Sequence, residues 1–460
     1  MRWLDSQAVV MANRSACVAV LLAPLVAAAN AVVPDGFARI RSIAGIDEYV
    51  MSSNGLSVLL KPDHSAPVLT LNVTYRVGSR NEVTGSTGAT HLLEHLMFKG
   101  SEGFNDAAGN SVKQYLERAG ARYNATTSLD RTNYYATVGR DSFEGYLAIE
   151  ADRMRRLWLR EEDRQKEMPV VRNEFERGKN DPDNTLQEEV TAAAFLASPY
   201  HHSTIGWKSD IEHVPIQKLK SFYDTYYWPN NATVTLVGDF APAEALTLIR
   251  KYYGAYPRSP SAIPEVYTEE PEQSGARRVI VKRPAQLGSV LIAHKVPNAR
   301  HADTPALDVL DAILSQGKAS RLYRALVDKG LATAVFAIDP KRRDLSLHLL
   351  GASLAPGAKL EDTEQALRTA IATIQRDGVT AAEVVTAQRQ LRTQRLFRRD
   401  NSAGVATELN EWIAAGDWTL YATFPQAVSH VTAADVQRVA TAYLIDDLST
   451  TGWFVPTAVP

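Results

Sequence analysis

The fold is decided by two stretches that share one pattern of apolar residues: VPIQKLKSFYDTY at residues 214–226 and VTAADVQRVATAY at residues 431–443. Both predict an amphipathic helix, and the second stretch lies 217 residues after the first. A separate match has the same offset, since HLLEHLMFKG at residues 91–100 aligns with DVLDAILSQG at residues 308–317. Two weak similarities that share one offset predict a duplicated domain of about 210 residues.

The domain organisation follows from this duplication. We predict a first copy at residues 32–253, a linker at 254–275 and a second copy at 276–460. The linker sequence, GAYPRSPSAIPEVYTEEPEQSG, contains four prolines and few apolar residues. Such a composition is typical of a segment that connects two folded units.

Each copy has the pattern of an α+β domain. Strands with alternating apolar residues are mixed with long amphipathic helices, but strands and helices do not strictly alternate along the chain. This order predicts antiparallel sheets with helices packed on one face. A doubly wound parallel sheet would need strict alternation of strands and helices. The predicted strands are residues 68–78, 131–138, 232–238, 278–282 and 289–294, and the predicted helices are 143–159, 164–177 and segments beginning at Thr90 and Pro305.

The composition limits the possible functions. The 460 residues are 45% hydrophobic and 22% charged, which excludes a disordered chain and a multi-spanning membrane protein. A formal net charge of −2 provides no basic surface for nucleic acid and no acidic excess for basic targets. Cys17 is the only cysteine, so a bound metal would need histidine, aspartate or glutamate ligands.

The amino terminus predicts a cleavable signal peptide at residues 1–31 and therefore a periplasmic or secreted protein. Residues 16–31, ACVAVLLAPLVAAANA, are apolar, follow Arg14 and end in a small-x-small cleavage pattern. The alternative is a membrane anchor, but the run is shorter than the roughly 20 residues of a span and Pro24 interrupts it. Translation starts at Met1 or at Met11, and a start at Met11 would give a leader of more usual length.

The candidate chemistry is concentrated in the motif His91-Leu-Leu-Glu94-His95. On a helix, positions 91 and 95 lie one turn apart on the same face, so both imidazoles can reach one metal ion. Glu94 lies beside them and can act on a metal-bound water without being a ligand. The pattern H-x-x-E-H is the inverted form of the H-E-x-x-H zinc peptidase motif. The alternative, a surface helix with two solvated histidines, fits poorly with the apolar residues around them.

A hydrolytic zinc ion usually has three protein ligands, so a third ligand is expected elsewhere. Glu167 and Glu174 are seven residues apart in a predicted helix, and both therefore project from one face. One of them could bind the metal while the other orients it. The spacing alone does not decide which, and a pair of solvated glutamates is the alternative.

Together these motifs resemble those of the M16 metallopeptidases, also called the pitrilysin or inverzincin family, which includes insulin-degrading enzyme and the mitochondrial processing peptidases. In that family a glutamate follows the H-x-x-E-H helix by 75 to 80 residues, and Glu174 follows His95 by 79. The resemblance implies a duplicated α+β fold in which His91, His95 and Glu174 bind Zn²⁺. It also implies that Glu94 is the general base and that Glu167 supports the site. Further matches are Gly120 to Tyr134, Pro199-Tyr200, Ile205-Gly206 and Pro229 to Asp239.

The activity implied by the resemblance is hydrolysis of peptide bonds in peptides or small unfolded proteins. In the family, the strand that corresponds to Asn124, Ala125 and Thr126 binds substrate as an added β-strand. Because this mode contacts mainly the substrate backbone, it does not imply narrow sequence specificity.

The second copy departs from the family pattern. Relatives carry an Arg and a Tyr seven residues apart, which bind substrate and stabilise the oxyanion, whereas Val327 and Thr333 stand in the equivalent segment here. Arg321, Tyr323 and Arg324 lie nearby, but they resemble a structural helix motif that precedes the pair. The second copy has also lost the metal-binding residues, since Asp308, Asp311 and Ala312 stand opposite His91, Glu94 and His95.

These departures predict that a second chain is needed. The sequence resembles the zinc-bearing subunit of a bacterial two-subunit M16 peptidase, so we expect a heterodimer with an M16-like partner that carries the Arg/Tyr pair. Two alternatives stay open: a non-catalytic scaffold subunit and a self-sufficient homodimeric peptidase.

Overall fold

The computed structural model describes residues 34–458. The predicted signal peptide, residues 1–31, and both possible start residues lie outside the described residues. Among residues 34–458, no helix is both long and apolar enough to cross a membrane.

The first copy is built on a seven-stranded sheet of order β1-β2-β3-β7-β4-β6-β5. All neighbours are antiparallel except β3 and β7, which are parallel. The strands are β1 Phe37–Ile43, β2 Ile46–Met51, β3 Ser57–Pro62, β4 Val68–Tyr75, β5 Arg122–Thr127, β6 Thr132–Gly139 and β7 Ala232–Gly238. The helices are α1 Ala89–Leu96, α2 Val112–Arg118, α3 Phe143–Arg155, α4 Glu161–Lys179, α5 Pro182–Ala194, α6 Lys208–His213, α7 Ile216–Tyr226 and α8 Pro242–Tyr253.

The second copy has a five-stranded sheet of order β10-β11-β9-β12-β8, with β12 and β8 as its parallel pair. The strands are β8 Arg277–Pro284, β9 Ser289–Val296, β10 Ala332–Ile338, β11 Ser346–Leu354 and β12 Ser449–Thr457. The helices are α9 Thr304–Ser315, α10 Leu360–Asp377, α11 Ala381–Arg398, α12 Ser402–Ala414, α13 Leu420–His430 and α14 Ala433–Tyr443.

The predicted duplication and the antiparallel-rich α+β class are confirmed. Helices α7 and α14 begin at Ile216 and Ala433 and end at Tyr226 and Tyr443, so both ends keep the offset of 217 residues. Strands β7 and β12, each a member of the parallel pair in its sheet, begin at the same offset. The domain boundaries themselves stay a prediction.

The apolar core of the first copy lies between its sheet and its own helices. Leu69, Leu71 and Val73 alternate along β4 and join the apolar core on the side of the sheet where α3 packs on this strand. Burial of such side chains contributes about 1.5–3 kcal/mol each. This arrangement of helices on one face is the predicted one.

The opposite face of each sheet is covered by a helix from the other copy. Helix α12 packs on β4, where the Thr74 hydroxyl donates to Asn410 Oδ1 at 2.7 Å. In return, α5 packs on β12 against Gly452, where an added Cβ would lie 2.2 Å from a methyl carbon of Val190. The two copies therefore exchange one helix each, a feature that the sequence does not predict.

Candidate metal centre

The helix that carries the H-x-x-E-H motif is fixed at its amino terminus. Gly88, with φ +82°, precedes α1, and the buried carboxylate of Glu82 accepts the backbone N–H of Gly88 at 2.8 Å and of Thr90 at 2.7 Å. These bonds satisfy amide groups that have no partner within the helix. Burial raises the pKa of Glu82 to about 8, although the hydrogen bonds from Thr90 and Gly88 lower it.

Two glycines allow a second segment to approach this helix start. A Cβ at Gly88 would lie 2.4 Å from the carbonyl oxygen of Ile205, and a Cβ at Gly206 would lie 2.4 Å from the Gly88 nitrogen. Gly206 also has a positive φ of +82°. The Ile205-Gly206 pair that matches the family pattern therefore packs backbone to backbone on the start of α1.

The structure brings the three predicted ligands together. His91 and His95 lie on α1 with ring centroids 4.8 Å apart, and Glu174 approaches from α4. Its Oε2 lies 3.6 Å from Nε2 of each histidine, and the three possible ligand atoms all lie within 4.8 Å of one another. Tetrahedral ligands about 2 Å from zinc are separated by roughly 3.3 Å, so this spacing fits a zinc site.

Glu167 orients His95. Its Oε1 lies 3.2 Å from His95 Nδ1, so the ring donates there and its Nε2 is directed to the same point as Glu174. The ammonium of Lys99 contacts the other oxygen of Glu167. The hydrogen bond from His95 and the charge of Lys99 lower the pKa of Glu167. The predicted supporting role of Glu167 thus has a geometric basis.

The pKa values of the two histidines shift in opposite directions. Burial lowers the pKa of His91 to about 4, which keeps this imidazole neutral. Burial also lowers the pKa of His95, but the hydrogen bond to Glu167 and the charges of Glu174 and Glu94 outweigh it and leave the pKa raised.

Glu94 is a buried carboxylate on the same helix as the two candidate histidine ligands. Only 8% of its surface is exposed, and its Oε2 accepts the hydroxyl of Thr127 at the end of β5. Burial raises the pKa of Glu94, while Thr127, His95 and Arg131 act in the opposite direction. A fixed carboxylate with a raised pKa is suited to accept and return a proton.

The strand β5, which contains Asn124, Ala125 and Thr126, is the outermost strand of its sheet. It pairs with β6 on one side, and its other edge pairs with no strand of residues 34–458. Its last residue, Thr127, contacts Glu94. An extended peptide that added to this edge would therefore run past the candidate base.

A cavity of about 350 Å³ adjoins Glu174. Its walls come from α4, from α5 and from the segment of residues 200–205, all in the first copy. The second copy contributes Arg342. The sequence did not predict Arg342, because no motif or spacing marks a loop residue that comes from another domain.

The second copy has an ion cluster where the first has its candidate metal ligands. Asp308 and Asp311 lie on α9 at the positions of His91 and Glu94. The Lys341 ammonium lies 2.6 Å from Asp308 and 2.9 Å from Asp339, while Asp311 binds the His348 ring at 2.6 Å. Burial lowers the pKa of Lys341, but the surrounding carboxylates outweigh it and leave the pKa raised.

The segment that corresponds to the family's Arg/Tyr pair has no arginine or tyrosine at the two equivalent positions, Val327 and Thr333. Val327 ends a single π-helical turn and packs on the second core, and the Thr333 hydroxyl donates to a backbone carbonyl of β11 at 3.3 Å. Arg321 is engaged by Glu383 at 2.6 Å and 3.0 Å. The nearby arginine is therefore part of a structural ion pair.

Known proteins share both the fold and the sequence. The family described as Insulinase (Peptidase family M16) matches residues 57–207, and that described as Peptidase M16 inactive domain matches residues 213–391. The zinc protease PqqE of Helicobacter pylori is 32% identical over 414 residues, which are 89% of this chain and 93% of that protein.

Two further comparisons agree. The crystal structure of a protease from Helicobacter pylori superposes with a TM-score of 0.85 and 30% identity, over 89% of this chain and 99% of the other. The probable mitochondrial-processing peptidase subunit beta of Arabidopsis thaliana is 23% identical over 85% of this chain and 75% of that protein. A duplicated α+β fold with an H-x-x-E-H helix in its first copy defines the inverzincin class. The chain belongs to peptidase family M16, as its sequence predicts.

Proposed function

We propose that this chain is the zinc-binding subunit of a metalloendopeptidase that hydrolyses peptides or small unfolded proteins. The observation that carries this proposal is the convergence of His91, His95 and Glu174 beside the buried carboxylate of Glu94. Relatives named zinc protease share this family.

The donor set fits Zn²⁺. Two imidazole nitrogens and one carboxylate oxygen are the ligands of hydrolytic zinc peptidases, and they leave a coordination position for water. When bound, Zn²⁺ supplies Lewis acidity, which lowers the pKa of water and polarises the scissile carbonyl.

The residues of the chain provide the proton transfers and the binding surface. Glu94 accepts a proton from the attacking water and returns it to the leaving amine. Glu167 holds the His95 ring in the orientation that directs Nε2 to the ligand cluster. The free edge of β5, at Asn124, Ala125 and Thr126, binds the substrate backbone.

The chemistry of the second copy supports a two-chain enzyme. Neither Val327 nor Thr333 can donate hydrogen bonds as an Arg/Tyr pair would, so the pair would come from an M16-like partner chain. The Arabidopsis relative is itself named as a subunit. Purified chain should bind zinc but hydrolyse a casein-derived peptide slowly, and an M16-like chain that carries the pair should increase turnover. Full activity of the chain alone, as a monomer or a homodimer, would contradict the need for a partner.

Zinc content distinguishes a peptidase subunit from a non-catalytic scaffold. We expect one zinc per wild-type chain by elemental analysis, and a large loss in Glu174→Ala. The matched control is Glu176→Ala, because Glu176 lies on the same helix but pairs with Lys208 at the surface. A wild-type chain that binds no zinc would contradict the peptidase proposal and favour the scaffold.

We further propose export to the periplasm or the exterior, supported by the apolar leader at residues 16–31. Amino-terminal sequencing of the protein from its native host should begin near residue 32. A chain recovered from the cytoplasm with an intact leader would contradict export.

A further inference from the structure

We propose that Arg342 makes the cavity beside Glu174 a binding subsite for an acidic side chain of the substrate. The inference deepens the proposed peptidase function and rests on it. Arg342 comes from the second copy, yet it lines the same cavity as Glu174. A substrate residue close to the scissile bond could therefore place its carboxylate against the guanidinium.

The loop that carries Arg342 is anchored to the second copy on one side. Its neighbour Lys341 is held by Asp308 and Asp339 in the ion cluster. The carbonyl of Arg342 accepts the backbone N–H of Ala299 at 2.9 Å. The backbone at residues 341 and 342 is thus fixed before any substrate binds.

The other side of the loop is anchored to the first copy. The Arg343 N–H donates to Asp130 at 3.2 Å, and the Asp344 N–H donates to the Tyr200 hydroxyl at 3.2 Å. The buried guanidinium of Arg80 contacts Asp344 and lies 3.6 Å from Asp130. Because both sides are fixed, the backbone of Arg342 is held beside the cavity, and a rigid backbone is what a specificity determinant requires.

The Arg342 guanidinium is available for a ligand. Within residues 34–458, it forms no hydrogen bond and no ion pair, and the side chain is half-buried. Of the acidic residues nearby, Glu188 pairs with Lys179, Asp130 accepts the Tyr200 hydroxyl at 2.5 Å, and Glu174 is the candidate metal ligand. Guanidinium groups bind carboxylates through two parallel hydrogen bonds, so an acidic side chain is the favoured occupant.

Peptide binding to the zinc-loaded, full-length Glu94→Gln chain tests the subsite without hydrolysis. The probes are fluorescein-labelled decapeptides in which one Glu is moved through the positions around the scissile bond, each matched by a peptide with Gln. At one position the Glu peptide should bind on the order of tenfold more tightly. The additional change Arg342→Gln should remove this preference with zinc content unchanged, and Arg342→Lys should retain part of it.

Arg343→Gln is the matched control, because Arg343 lines a different cavity with Arg76 and Trp418. It should keep the preference for Glu. A preference that survives Arg342→Gln, or no preference at any position, would overturn the subsite. Hydrolysis by the wild-type enzyme is measured separately, so an active enzyme without the preference would refute the subsite alone. A preference in a chain that never hydrolyses peptides would refute only the peptidase function.

Discussion

Helices α1 and α9 occupy the same position in the two copies, but they carry different residues at the points where the first copy has its candidate metal centre. In the first copy, α1 presents His91 and His95 to Glu174, a set that fits a metal ion. In the second copy, α9 presents Asp308 to the ammonium of Lys341. One copy presents candidate ligands for a metal cation, and the other places the ammonium of a lysine side chain beside its aspartates. The difference teaches that equivalent helices of a duplicated domain can present either a candidate set of metal ligands or one side of an internal ion pair.

The largest expected effect is on catalysis in the first copy. Glu94→Gln should reduce turnover of peptide substrate by roughly 10²–10⁴-fold, because an amide cannot accept the proton. Zinc content should stay at the wild-type value, since Glu94 is not among the clustered ligand atoms. Turnover close to wild type would show that another group is the base.

The corresponding change in the second copy should affect stability. Lys341→Met leaves Asp308 and the buried Asp339 without their cation, and we expect a loss of about 3–5 kcal/mol of unfolding free energy. Urea titration measures it, with zinc content as the control. If Lys341→Met unfolds normally, the ammonium has no structural role.

A smaller effect is expected from the residue that orients His95. Glu167→Ala should weaken zinc binding by roughly 10–100-fold, because His95 loses the acceptor at its Nδ1. Competition with a fluorescent zinc chelator measures the affinity. Glu162→Ala, on the same helix but exposed at its start, is the control, and an equal loss in both variants would contradict a specific role.

The smallest expected effect concerns the contact between β5 and the candidate base. Thr127→Val removes the hydroxyl that donates to Glu94, and kcat/KM should fall about fivefold, the equivalent of one ordinary hydrogen bond. Zinc affinity should not change. A loss as large as that of Glu94→Gln would mean that Thr127 acts on more than the orientation of the carboxylate.

The sequence predicts those parts of the fold that have strong local patterns. Strand β7 has the predicted bounds because seven consecutive buried residues bounded by turns leave little ambiguity. Strand β1 was missed, since most of FARIRSI is exposed and shows no alternation. The exchange of α5 and α12 was also missed, because an amphipathic pattern indicates that a helix packs but not on which sheet.

The candidate site likewise contains residues that the sequence predicts and one that it does not. His91, Glu94 and His95 lie within one helix, so their spacing alone places them on adjoining faces. The choice of Glu174 as the third ligand rests on the resemblance to the M16 family, and the structure places its carboxylate beside the two histidines. Arg342 could not be predicted, because only the tertiary fold brings its loop to the first copy.

The exchanged helices have a consequence for proteolysis. The segment between α8 and β8 contains no helix or strand, and Tyr267 within it is 89% exposed. A protease that cuts there would break the covalent link, yet α5 and α12 would still hold the two fragments together through their buried faces. The nicked protein should therefore migrate as one species on a sizing column and as two bands under denaturing conditions.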